Sequence, residues 1–180
     1  MGSGPRRTIL AGSLGAVLAI GAMPPAVAQA PETVTKANYL YKFALFIDWP
    51  ARSFSAPDSP LHICVTGTDP FGAILADAVK GQQVQGHPVA IDHPDAAGVT
   101  QCHILFVGAG GEGQPADMMH AVSGHPILTV TDRSQSVSGG MIEFVQADGR
   151  VRFAVDAAAA EQSGIEISSK LLELAVKVER

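Results

Sequence analysis

The stretch Gly139–Ala175, GGMIEFVQADGRVRFAVDAAAAEQSGIEISSKLLELA, encodes two paired strands followed by a broken helix. Met141–Gln146 and Arg150–Asp156 are apolar-rich runs on either side of Ala147-Asp148-Gly149. Asp-Gly accepts the positive φ angles of a tight turn, so the two runs read as a β-hairpin. Ala157–Ala160 starts a helix, and Ser168 stands where a second helix would be capped. Ile167 is placed to staple onto Leu172, and Leu171, Leu174, Ala175 and Val178 recur at helical spacing. This stretch therefore predicts an antiparallel edge on a sheet and a C-terminal helix.

Upstream, the pattern predicts helices over Val34–Ile47, Phe71–Val79 and Ala116–Val122, with strands over Leu61–Thr66, Val89–Asp92, His103–Val107 and Ile127–Thr131. Ala96–Thr100 reads as a helical turn and Ser53–Pro60 as a Ser/Pro-rich loop. Strands interleaved with helices give an α/β class: a single domain whose mostly parallel sheet is covered by helices on both faces. The hairpin adds the antiparallel part and the terminal helix closes the domain.

Residues 1–30 carry Arg6 and Arg7, an apolar and small-residue run from Ile9 to Ala22, and Ala28-Gln29-Ala30, the pattern of a cleavable secretory signal peptide. Pro5–Leu10 also resembles a twin-arginine signal, so the export route stays open. Cleavage near Ala30 leaves residues 31–180 as one α/β domain in the periplasm. The formal charge of −5 becomes −7 once Arg6 and Arg7 are lost. Ten scattered Lys and Arg side chains argue against nucleic acid as a partner. In an oxidising compartment Cys64, on a predicted strand, and Cys102, at the start of another, either bond or pack as two small buried side chains. A bridge would close a loop of about 39 residues and add roughly 4 kcal/mol by restricting the unfolded chain.

The chemistry-bearing patterns are weak. Gly108-Ala-Gly-Gly-Glu-Gly113 follows a strand, but it lacks the Lys-Ser/Thr of a phosphate loop and its helix is delayed by Gln114-Pro115, so it reads as a mobile loop. Gly67–Gly72 reads as a helix start capped by Asp69, with Pro70 at the first helical position. Gly139–Phe144 has the glycines of a cyclase signature without the acid directly after them. The six histidines show no metal-ligand spacing; only His87 and His93 lie close, with Asp92 and Asp95 nearby, and a solvated loop explains them. No serine-hydrolase elbow is present. The reading is a non-enzymatic protein with no metal or cofactor.

Taken in order, Tyr39–Pro50 (YLYKFALFIDWP), Ile63–Gly67, Asp69–Gly72, Gln101–Phe106, Ile127–Val130 with Asp132, Gly139–Phe144, Val151–Phe153 and Ser163–Leu172 resemble the YfiR family, also called YfiR/HmsC-like. The resemblance covers about 140 residues, from Val34 to Val176. It implies a periplasmic negative regulator that binds the periplasmic portion of an inner-membrane diguanylate cyclase, as a homodimer, and lowers cyclic-di-GMP output and biofilm formation. Some relatives carry a second cysteine pair near the Gly139–Phe144 hairpin; this chain has none there. The alternative is a periplasmic small-molecule binding domain serving a transport or sensing system. The resemblance also implies that Glu161–Lys170 packs beside Trp49–Arg52, so that Arg52, Glu166 and Lys170 line a polar pocket with Trp49 as its wall. Read alone, Trp49 is first explained as a core plug. The sheet-edge hairpin around Glu143, Phe144 and Arg152 is the second candidate docking face, although a plain cross-strand Glu143–Arg152 pair also explains those charges.

Overall fold

The structure is a computed structural model that describes residues 1–2, 31–110 and 114–180. The leader expected over residues 1–30 lies, apart from Met1 and Gly2, outside the described residues. No helix among the described residues is long and apolar enough to cross a membrane.

Three strands form the centre because their sequences bury both faces. β2 (Leu61–Thr66), β5 (Ile104–Val107) and β6 (Leu128–Asp132) are almost wholly buried, as parallel strands between two helical layers must be. With β3 (Gln83–Val84), β4 (His87–Asp92), β7 (Ile142–Ala147), β8 (Arg150–Asp156) and β10 (Lys177–Glu179) they build an eight-stranded sheet, ordered β10-β8-β7-β6-β5-β2-β4-β3. Only β7–β8 and β3–β4 pair antiparallel within it. A separate antiparallel pair joins β1 (Ile47–Asp48) to β9 (Glu166–Ile167).

The Asp-Gly reading holds at the level of backbone angles. Asp148 and Gly149 have φ of 52° and 67°, and Ala147 faces Arg150 across the turn, the two-residue geometry that favours Asp-Gly. Asp156 then caps α4 (Ala157–Gln162), its Oδ1 accepting from the Ala159 N–H at 2.9 Å. Two expectations fail here. The hairpin is not the sheet edge, because β10 pairs parallel to β8 outside it. The terminal helix stops early: α5 spans Ser169–Leu174, Ala175 is extended, and Val178 lies in β10 rather than on a helical face. Ser168 stands at the N-cap position but its side chain caps nothing, and its Oγ is buried without a partner.

The pleat separates two cores. Ile63, Val65, Ile104 and Phe106 point to one side, toward α1 (Glu32–Phe43) and α2 (Ala73–Val79). Cys64, Leu105 and Val107 point to the other, toward a 3₁₀ turn at Val99–Gln101 and α3 (Pro115–Ala121). On the first side Phe43 of α1 meets Phe153 edge-on at 5.1 Å and Phe144 at 5.8 Å, and Tyr39 meets Phe153 at 5.6 Å. The buried Lys36 Nζ donates to Asp132 Oδ2 at 2.6 Å, tying α1 to the end of β6. On the second side Cys64 and Cys102 form a disulfide with Cα atoms 5.9 Å apart.

α2 begins at Ala73 rather than Phe71, after Gly72 turns through φ of 51°. Asp69 therefore caps the preceding turn, its carboxylate accepting from the N–H groups of Phe71 and Gly72 at 2.7 and 3.3 Å.

Candidate functional site

The end of α1 and the approach to α5 meet through β1 and β9. α1 runs into a 3₁₀ turn, Ala44–Phe46, which delivers Ile47 and Asp48 in extended form. These pair with Ile167 and Glu166, so Asp48 and Glu166 face each other across the ladder. Like charges directly opposite repel, which costs a fraction of a kcal/mol and keeps this rim hydrated and open. Pro50 then turns the chain into a 3₁₀ turn, Ala51–Ser53, that carries Arg52.

The result is a cleft of about 530 Å³ lined by Asp48, Trp49, Pro50, Glu161, Gly164, Ile165 and Glu166. Trp49 is 9 % exposed, sits edge-on to His103, and leaves its Nε1 without a hydrogen-bond partner. Arg52 Nη2 lies against Gly164, 3.2 Å from the place a Cβ would take, and Gly164 has φ of 78°. Trp49, Arg52 and Glu166 are thus brought together. Lys170 is exposed on α5 and does not line this cleft. Asp48 and Glu161, absent from the sequence-derived set, contribute two of its three carboxylates; Asp48 was legible within the Asp-Trp-Pro motif.

The loop after Pro50 is held from below by histidines. His103 Nδ1 accepts from the His62 N–H at 3.1 Å, which leaves Nε2 to carry the proton and donate to the Ser53 carbonyl at 3.0 Å. Phe54 stacks between His87 and His103, with ring centroids at 3.7 and 4.5 Å, and His87 Nδ1 donates to the Ser59 carbonyl at 2.7 Å. Burial pushes the His103 pKa down to about 4, opposed by its bond to Ser53 and helped by His62 and His87, so the ring is neutral near pH 7.

The hairpin residues are distributed differently from the expected pair. Glu143 faces Ala154 and Arg152 faces Val145, so the two charges are out of register. Glu143 instead takes two hydrogen bonds from Arg133, at 2.6 and 3.2 Å, while Arg152 reaches the Leu174 carbonyl at 3.4 Å. Phe144 is wholly buried in the aromatic core. Of the three, only Arg152 is exposed.

Elsewhere the glycine loop, expected to be mobile, is tied down at its start. Gly108 N–H donates to Thr66, Thr68 N–H to the Ala109 carbonyl, and Ala109 N–H to Gln135 Oε1, at 2.9, 2.8 and 3.0 Å. A Cβ on Gly67 would fall on the Gly108 carbonyl, and one on Gly108 would fall on that of Thr68. Amides already committed in this way cannot cradle a phosphate; residues 111–113 lie outside the described residues. Among the described residues no three His, Cys, Asp or Glu side chains converge as a metal site. His93 pairs with Asp69 at 3.2 Å, and His62 with Asp92 at 2.6 Å. A family model described as YfiR/HmsC-like matches residues 33–176, from α1 through α5.

Proposed function

Because the chain belongs to the YfiR/HmsC-like family, we propose that it is an exported periplasmic regulator that binds the periplasmic portion of an inner-membrane diguanylate cyclase and restrains it. The family match over residues 33–176 carries this reading. Proteins of this kind act in general beside diguanylate cyclases and without chemistry of their own. The docking surface is the corner made by Trp49, Arg52, Glu166 and the nearby Lys170, and the regulator works as a homodimer. Deleting the gene raises cyclic-di-GMP and surface attachment. An unchanged nucleotide level in a strain that expresses the partner cyclase overturns the proposal.

A second reading is supported by the cleft itself, which joins an aromatic wall to three carboxylates, with the Arg52 guanidinium beside Gly164 at its margin. Under it the protein captures a small polar ligand for a transport or sensing system. Adjacent genes separate the two: a membrane protein with a periplasmic sensor and a cyclase domain favours repression, whereas a transporter alone favours capture.

A further inference from the structure

We propose that the free edge of β10 is the surface through which two copies of this chain associate, by antiparallel pairing about Val178. This rests on the self-association proposed above and gives it a location.

Among the described residues β10 ends the eight-stranded sheet, with no strand beyond it. The direction of its free backbone groups follows from the pairing on its inner side. Asp156 N–H donates to the carbonyl of Met141, the residue just before β7, and an antiparallel ladder alternates, so the backbone groups of the even-numbered residues of β8 face β7 and those of the odd-numbered ones face β10. Val155 stands beside Val178 in the parallel register. In a parallel pair such a residue bonds the two that flank its neighbour, here Lys177 and Glu179. The Val178 N–H and C=O therefore point away from the sheet.

A two-fold axis at Val178 satisfies both groups at once, because Val178 then exchanges two N–H···O bonds with Val178 of the partner subunit. The same axis sets Lys177 opposite Glu179 of the partner subunit, and Glu179 opposite Lys177 of the partner subunit. These form non-hydrogen-bonded pairs, in which side chains approach most closely. Lys177 and Glu179 already share one face, joined by a 2.5 Å contact. Edge strands that resist pairing carry charges that repel their own kind; one Lys and one Glu either side of a central Val make this edge complementary to itself. A parallel approach would set Lys177 against Lys177 instead. Leu174 and Val176, 54 % and 46 % exposed, sit immediately before the edge and give the second copy apolar surface to cover.

The test is sedimentation equilibrium of the purified protein and three variants over a micromolar concentration series. Glu179→Lys places like charges opposite each other. Val178→Pro removes the outward N–H and leaves the β8 ladder its bonds. Each is expected to weaken the dimer at least tenfold with unchanged secondary structure, and the Lys177→Glu/Glu179→Lys double swap is expected to restore it. A wild-type protein that stays monomeric overturns both the surface and the self-association. A dimer whose dissociation constant ignores Glu179→Lys and Val178→Pro overturns the surface and keeps the self-association.

Discussion

One face of the sheet is covered by α1 and an aromatic cluster, Tyr39, Phe43, Phe144 and Phe153, packed around the hairpin. The other is covered by a 3₁₀ turn and the seven-residue α3, over smaller side chains: Val99, Leu105, Val107, Met118, Val122 and Ile127. The difference lies in what a helix can bring. Three turns of α1 deliver interlocking rings and the buried Lys36, whereas the Val99–Gln101 turn is too short to present a face at all. On that thin side a covalent bond does the fastening. Cys102 follows the turn directly and is bonded to Cys64 of β2, so the turn is held down by its end rather than by its packing.

The aromatic face is the more sensitive of the two to a lost side chain. Phe43→Ala is expected to cost about 3–5 kcal/mol, because Phe43 is fully buried and its ring packs against Tyr39, Phe144 and Phe153. Chemical denaturation reads this, and a loss below about 1 kcal/mol would mean the cluster is not the dominant core. Replacing both cysteines by alanine is expected to cost about 2–4 kcal/mol. It should also raise hydrogen exchange at Val99–Gln101 while leaving α1 protected; uniform exchange across both faces would mean that the bond does not fasten the turn selectively.

A smaller, pH-dependent effect is expected at His103, which supports the loop above the cleft. Its folded pKa is about 4 against an unfolded value near 6.5. The unfolded chain therefore binds the proton first as pH falls. Stability from this residue is full above about pH 6.5 and declines toward pH 4. His103→Asn should flatten the melting temperature over that window, and a profile parallel to wild type would exclude the residue. Smallest of all, Arg52→Ala and Lys170→Ala should each change stability by less than about 0.5 kcal/mol while weakening regulation in the cell. Normal cyclase restraint in both variants would move attention to Arg152 on the exposed face of the hairpin.

The thick side was the legible side. Asp148-Gly149 and the apolar runs around it dictate a turn and a register, and long buried runs such as Leu61–Thr66 announce central strands. The disulfide was legible as one of two outcomes, settled once β2 and β5 proved to be neighbours. Two- and three-residue strands carry too little pattern to be read. β1, β9 and β10 are recognised only when their partners are present, and for that reason Val178 fits a helical spacing in sequence and a strand in space. Glu143 and Arg152 mislead for a related reason: they share a hairpin, but a displacement of two residues gives Glu143 to Arg133. The Trp49–Glu166 meeting came from the order of motifs, since nothing in either segment alone calls for the other.

The Gly67–Gly108 contact has a mechanical consequence. Cys64–Cys102 fastens β2 to the start of β5, and the backbone seam fastens their far ends, where Thr68 N–H meets the Ala109 carbonyl. Two strands pinned at both ends cannot slide past one another or splay. They form a stiff beam through the middle of the sheet. A shape change at this end of the molecule is therefore left to the loops that hang from the beam, among them the histidine-held segment that begins at the cleft-lining Pro50.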